Sequence, residues 1–216
     1  PKLRYFTTSP VILRDGVVTT EPGYYSDHLA FYSGEVACGD VPDNPSSEQV
    51  AAAAALLHEP LQDFPFLEQD RTNLLALLLA LVGRAVIDGL VPPFMVSANT
   101  PGTGKGLLSE AASRMAIGKQ AATSTWKSDS EEMRKSITSS LLAGERLVIF
   151  DNVNETMDSG IFAAATTSRT WTDRAMGGNS ILKLENRTVF LATANNPTMS
   201  GEVSRRFVTI ELATNY

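Results

Sequence analysis

Phe94-Met-Val-Ser-Ala-Asn99-Thr-Pro-Gly-Thr-Gly-Lys-Gly106 reads as a buried strand, Phe94–Ala98, running into a glycine-rich loop. A helix, Gly104–Ile117, follows at once. The pattern G-x-x-x-x-G-K-[ST] between a strand and a helix cradles phosphate, and Gly104-Lys105 stand at the required places. Gly102 and Gly104 let the backbone curl until several N–H groups point at one anion. The helix start adds its positive dipole end, and Lys105 brings a charge to the outer phosphates. Asn99, Thr100, Pro101, Gly102, Thr103, Gly104, Lys105, Gly106 and Leu107 are therefore the candidate nucleotide-binding residues. Two positions depart from the pattern. Asn99 replaces the first glycine, and asparagine is expected there for its tolerance of the left-handed region. Gly106 replaces the Ser or Thr whose hydroxyl holds magnesium, so water or a hydroxyl such as that of Ser109 has to substitute. The competing reading is a glycine-rich turn without a ligand.

Outward from the loop, strands and helices alternate. A strand near Ala122–Thr125, a helix Ser130–Leu142, a strand Arg146–Phe150 and a helix Ser159–Ser168 come first. Strands Ser180–Leu184, Thr188–Ala194 and Phe207–Leu212 follow. This alternation predicts an α/β domain of three layers around a mostly parallel sheet. Upstream, Glu48–His58 reads as an Ala-rich helix capped by Ser46 or Ser47 and ended by Pro60. Asn73–Ile87 reads as a second helix closed by Gly89; it is apolar all round, which predicts burial. Residues 1–40 read as short strands and turns: Pro10–Gly16 closes on a hairpin turn at Asp15-Gly16, Val17–Thr20 returns, and Pro22-Gly23 turns again. Val41–Ser47 reads as a linker. The expected organisation is a small β-rich segment, 1–45, before a core, 46–216, that carries no helical lid.

Arg146-Leu-Val-Ile-Phe-Asp-Asn152 is an apolar strand ending in an acid. Open α/β sheets bind ligands at the C-terminal edge of their strands, so Asp151 belongs beside the phosphate loop as a Mg²⁺ ligand, directly or through water. An Asp capping a turn is the plainer alternative. Asn152 follows it; an amide orients water but cannot take its proton. Glu155 is near enough in sequence to serve as a base, or stands as a surface residue.

The bulk numbers bound the rest. The 216 residues carry a net charge of −6, with 43% hydrophobic and 19% charged residues, as in ordinary globular proteins. An acidic chain does not grip nucleic acid over its whole surface, so any such contact is local. No segment reaches the roughly 18 apolar residues of a membrane span; Leu74–Val82 comes nearest, with Arg84 close behind. Lys2 and Arg4 precede no apolar run, so no signal peptide is expected and the expected compartment is the cytoplasm. The start at Pro1 and the stop after Phe207–Leu212 read as an excised domain. The single cysteine, Cys38, excludes a disulfide framework and a cysteine-based zinc site and reads as inert. His28 and His58 are isolated and carry no expected chemistry.

As an ordered set, Asp63-Phe-Pro-Phe, Asp70-Arg-Thr-Asn-Leu-Leu-Ala-Leu, Pro101-Gly-Thr-Gly-Lys-Gly, Phe150-Asp-Asn-Val, Trp171-Thr-Asp-Arg, Asn186-Arg-Thr, Ala194-Asn-Asn and Ser204-Arg-Arg resemble AAA+ ATPases. More narrowly they resemble the helicase-type ATPase domains of primase–helicase proteins from phages, plasmids and other mobile elements; Pro22-Gly-Tyr fits too. The resemblance implies a P-loop NTPase core of the AAA+/ASCE kind that binds ATP with Mg²⁺, works as a homo-oligomeric ring and acts on single-stranded DNA. It makes Arg146–Asp151 the Walker B strand, places Asn195 and Asn196 at the sensor 1 position and makes Arg205 or Arg206 an arginine finger. It also implies a DNA-gripping hairpin within Trp171–Arg187, turning at Gly177-Gly178-Asn179, with Arg174, Lys183 and Arg187 meeting phosphate. There Trp171 either stacks on a base or belongs to the core. The other readings are a nucleotide-dependent remodeller of protein and a nucleotide-binding switch that barely hydrolyses.

Overall fold

Short apolar runs broken by turns build a small sheet at the N-terminus. The computed structural model describes residues 3, 5–37, 39–174 and 180–213; Cys38 and the expected turn at Gly177–Asn179 lie outside them. Strands β1 (Tyr5–Thr7), β2 (Gly23–Tyr25) and β3 (Ala30–Tyr32) form a sheet of order β1-β3-β2, with β1 parallel to β3. The turn at Asp15-Gly16 forms, with Gly16 at φ 88°. The hairpin expected around it shrinks to a single bridge between Ile12 and Val18. The cause is the buried Thr19, whose hydroxyl takes the Val11 N–H at 2.9 Å in place of a ladder bond. Pro22-Gly23 leads straight into β2.

Helix α1 (Ser47–His58) is capped by Ser46, which forms a reciprocal capping box with Gln49; none of its residues is buried. Helix α2 (Glu68–Val82) begins and ends earlier than Asn73–Ile87. Glu68 and Asp70 in its first turn suit the positive helix end, and Gly83, not Gly89, caps it. Past that cap the Arg84 guanidinium takes the carbonyls of Ile87 and Gly89 at 3.2 and 2.9 Å and holds the chain in a turn. Nor is α2 buried all round: Leu75 and Leu79 are 39% and 62% exposed.

The core strands follow: β4 (Phe94–Ala98), then α3 (Lys105–Ile117), β5 (Ala122–Ser124), α4 (Ser130–Leu142), β6 (Leu147–Val153) and the short α5 (Gly160–Ala165). After them come β7 (Thr170–Arg174), β8 (Ile181–Glu185), β9 (Val189–Asn195), α6 (Gly201–Ser204) and β10 (Val208–Leu212). Five strands form an all-parallel sheet in the order β10-β4-β9-β6-β5. Side chains alternate across a strand, and here both faces are buried. Phe94, Val96, Leu147, Ile149, Val189 and Leu191 pack with α2 and α3 on one face. Met95, Val148, Phe150, Phe190 and Ala192 pack with α4 and α5 on the other. The result is a three-layer α/β architecture, an all-parallel sheet between helices, with the small N-terminal sheet beside it. Arg146, just before β6, ties the two together: its guanidinium donates to the Leu81 carbonyl at 2.8 Å and to the Ser9 hydroxyl at 2.5 Å.

β7 and β8 form an antiparallel hairpin outside the main sheet. Trp171 on β7 belongs to the core and not to a base-stacking surface: it is buried and its Nε1–H donates to Thr138 Oγ1 at 2.8 Å. Thr138 in turn donates to Asp173 Oδ2 at 2.5 Å, and Arg134 of α4 pairs with the same carboxylate. Burial pushes the Asp173 carboxyl up, but the Thr138 hydroxyl, the Arg174 N–H and the Arg134 charge outweigh it and hold it below its usual value. A carboxyl depressed on folding stabilises above its unfolded value, roughly 3.9, and loses that contribution as pH falls through its folded value. Asp173→Ala is expected to cost about 2–3 kcal/mol at pH 7, the order of a charged hydrogen bond lost. In urea unfolding the gap to the parent narrows below about pH 4; a gap that widens on acidification contradicts this.

Candidate functional site

Three parallel strands deliver the site at their C-terminal ends, where an open α/β sheet leaves its crevice. β4 ends at Ala98 and runs into the loop; Ala98 is in register with Asn195 on β9, and β9 pairs with β6, which carries Asp151. Gly102 and Gly104 take φ of 80° and 90°, the left-handed values the curled loop demands. A side chain at Gly104 would also come 3.2 Å from the Phe64 ring, which packs against the loop. Leu107 faces solvent at the start of α3.

Lys105 is nearly buried and lies at the centre. Its Nζ donates to Asn195 Oδ1 at 2.5 Å and to Thr103 Oγ1 at 3.4 Å. An ammonium only donates, so the amide oxygen of Asn195 must face it. Burial draws the ammonium below the usual lysine value, and the charge of Asp151 opposes that. Asn196 does a different job: at φ 44°, it donates from Nδ2 to the Asn99 carbonyl at 3.0 Å and from its N–H to the Ala98 carbonyl at 3.0 Å. It therefore pins the tip of β9 to the start of the loop. The left-handed backbone expected of Asn99 falls instead on Asn152 and Asn196.

β6 does not end at Phe150. It continues to Val153 with a register shift after Phe150, so Asp151 and Asn152 sit on an irregularity in the strand. Bulges of this kind re-aim side chains. The irregularity is held by a residue that the sequence reading passed over: Thr193 accepts the Asn152 N–H at 2.8 Å and donates to Asp151 Oδ1 at 2.6 Å. A lone hydroxyl in a buried, otherwise apolar strand, two residues before Asn195, is the signal for it. With Oδ1 so fixed, Oδ2 of Asp151 has no partner among the described residues.

No group of three or more metal-ligating side chains occurs among the described residues. Magnesium does not need one, since it keeps several waters and takes one or two carboxylates beside the substrate's phosphates. A recess of about 220 Å³ lined by Gly106, Ser109, Glu110, Thr123 and Asp151 gives it room. A carboxylate beside such a recess is a donor set that fits Mg²⁺. Ser109 donates to the Lys105 carbonyl at 2.9 Å inside α3 and lines the recess; the bond uses its hydrogen and leaves its oxygen lone pairs. Glu155 is exposed and accepts from the Ser128 hydroxyl. Asp151→Asn is expected to lower Mg²⁺-dependent turnover at least about a hundredfold while changing nucleotide affinity only a few-fold. Thr193→Val should lower turnover about tenfold and Thr193→Ser much less, because only the hydroxyl is needed. Identical Mg²⁺ titrations of ATPase for Asp151→Asn and parent contradict the assignment.

The remaining candidates lie elsewhere. Arg205 and Arg206 follow α6 and both face Glu202, at 3.8 and 2.9 Å, with side chains 69% and 20% exposed. They precede Val208, which is in register with Phe94 at the far end of β4 from the loop. Arg174 and Lys183 lie on the outer face of the hairpin, where Lys183 stands opposite Thr172. Arg187 is not on the hairpin at all; it follows β8, bonds Glu185 at 2.7 Å and covers the Tyr5 ring.

No protein-family model matches the chain. No curated protein matches it significantly. Among solved structures, one of JCV helicase bound to N-(4-(2-(thiazolo[5,4-c]pyridin-2-yl)phenoxy)phenyl)acetamide is similar, with TM-score 0.47 and 14% identity over 80% of this chain and 47% of that chain. A second structure of JCV helicase has TM-score 0.43 and 12% identity, covering 78% and 52%. The chain spans about half the length of these structures. Similarity this low assigns no role to any residue. No helix among the described residues is long and apolar enough to cross a membrane.

Proposed function

We propose that this chain is a nucleotide-binding P-loop domain that takes ATP with Mg²⁺ at Asn99–Leu107, hydrolyses it as one subunit of a ring, and drives movement on single-stranded DNA. The supporting observation is the convergence of Lys105, Asp151 and Asn195 from the ends of three strands, with Lys105 Nζ 2.5 Å from Asn195 Oδ1. Lys105 holds the outer phosphates, Asp151 holds magnesium, and Asn195 meets the γ-phosphate or the attacking water. Asn152 orients that water, and Asn196 keeps the loop in place. Magnesium, when bound, draws charge from the phosphates and leaves the protein to position them. Residues 1–45 are an appendage in this reading and 46–216 the motor core. Arg174 and Lys183, on the exposed hairpin face, are the charges offered to DNA. ATP turnover with and without an oligothymidylate tests the reading. Stimulation by the oligonucleotide supports a motor on DNA. Turnover that ignores it favours a remodeller of protein.

A nucleotide switch is the second reading, favoured by two features: no carboxylate stands at Asn152 and no hydroxyl at Gly106. Gly106→Ser separates the two. A Cβ there meets nothing within 4 Å, so the substitution introduces the missing hydroxyl without a clash. A slow motor should gain Mg²⁺-dependent turnover several-fold, and removing a helical glycine should add about 0.5–1 kcal/mol of stability. Unchanged, near-zero turnover in the stabilised variant points to the switch.

A further inference from the structure

At the opposite end of the sheet from the phosphate loop, a cleft of about 440 Å³ opens between the hairpin base, the turn after α2 and the N-terminal segment. Five cations line it: Arg14, Arg84, Arg169, Lys183 and Arg187. Against them stand Asp88 and Glu185. Asp88 is shared by Arg14 at 3.9 Å and Arg169 at 3.3 Å. Glu185 pairs with Arg187. Arg84 is buried among carbonyls of Ile87, Gly89 and Asn186 and, among the described residues, makes no ion pair and leaves its Nε without a partner. Lys183 likewise has no partner among the described residues. Burial, and after it the like charge of Arg187, push the Arg84 guanidinium below its usual value, while Tyr5 and Glu185 oppose them. In a chain of net charge −6 this is a local surplus of positive charge.

We propose that this cleft is a second anion site, which takes phosphate groups. A single carboxylate would leave most of the surplus uncompensated. Phosphate carries more charge, and the guanidinium fork matches its oxygens in pairs. The site is separate from the phosphate loop: Asn186 and Arg187 precede the first residue of β9, whereas Asn195, which touches Lys105, is the last. Seven residues of strand, roughly 20 Å, lie between them. The cations also continue outward, because Lys183 and Arg174 share the outer face of the hairpin. The phosphate groups come either from the backbone of a nucleic-acid strand or from a free phosphate compound. The geometry of the cleft does not depend on what the loop binds.

The test uses the Lys105→Ala chain, in which the loop has lost its charge and competes far less for anions. Pyrophosphate is titrated by calorimetry and a labelled oligothymidylate by fluorescence anisotropy. Each is then repeated with Arg14→Ser and Arg169→Ser added. These side chains are 54% and 66% exposed, so the fold tolerates the change. Affinity for pyrophosphate should fall about tenfold or more, the order of one or two charged contacts. Lys at both positions should restore part of it. An equal loss for the oligonucleotide assigns the site to backbone phosphate; an oligonucleotide indifferent to the change assigns it to free phosphate. The proposal is overturned if neither probe binds the Lys105→Ala chain, or if both bind the Ser variant as tightly as its parent.

Discussion

Lys105→Ala is expected to abolish tight ATP binding and leave the fold standing. Lys105 is the one residue of the loop that brings a full charge to the phosphates, and its ammonium is already oriented by Asn195 Oδ1 at 2.5 Å and Thr103. Truncating one partner of a desolvated, hydrogen-bonded charge pair costs about 2–5 kcal/mol, or roughly thirty- to several-thousandfold in affinity. The folded state loses much less. Burial already disfavours the charged ammonium, so its removal relieves one cost while it orphans the Asn195 oxygen. A titration with fluorescent ATP reads the affinity and a melting curve reads the fold. Unchanged affinity sinks the phosphate-loop assignment, and collapse of the fold shows that Lys105 is structural first.

Replacing the acting arginine of Arg205 and Arg206 by Ala is expected to remove turnover and spare ATP binding. Arg206 lies two residues before Val208, which is in register with Phe94, at the end of β4 remote from the loop. Neither arginine therefore serves its own subunit's phosphates if the ring reading holds. A finger supplied by a neighbour is worth on the order of 10³–10⁵ in rate. ATPase per subunit should then rise with protein concentration as subunits meet. Mixing the arginine variant with Lys105→Ala gives the sharper result. Some mixed interfaces join an intact loop to an intact finger, so activity returns. Rates independent of concentration, together with two dead variants that never rescue each other, contradict the trans-acting finger and favour the switch.

Elements with strong local signals were legible in the residues. Phe94–Ala98 and Ser130–Leu142 form over the limits read from sequence, because apolar period, cap and turn agree there. Misreadings arose where tertiary contacts overrule local pattern. The apolar run after Asn73 suggested a fully buried helix to Ile87, but Gly83 stops it and Arg84 spends its donors on the turn that follows. The strand bearing Asp151 looked finished at Phe150 because the bulge beyond it depends on Thr193, forty-two residues later. The residues alone leave Trp171 open between stacking and core, and its burial with the bond to Thr138 on α4 decides for the core. Of the candidate site, the loop, Asp151 and Asn195 were readable as strand-end residues. The tie between Asn196 and the loop, and the cationic cleft, need the fold to bring distant residues together.

The proposed function requires that Asn99–Leu107 hold the phosphates of ATP. Equilibrium dialysis of the parent chain with radiolabelled ATP and Mg²⁺ measures this directly, with ADP and adenosine as competitors. Saturation that depends on Lys105 is expected, with ADP displacing ATP and adenosine failing to do so, because a phosphate loop grips phosphate rather than base. Displacement by adenosine as effective as by ADP, or binding that survives Lys105→Ala, contradicts it.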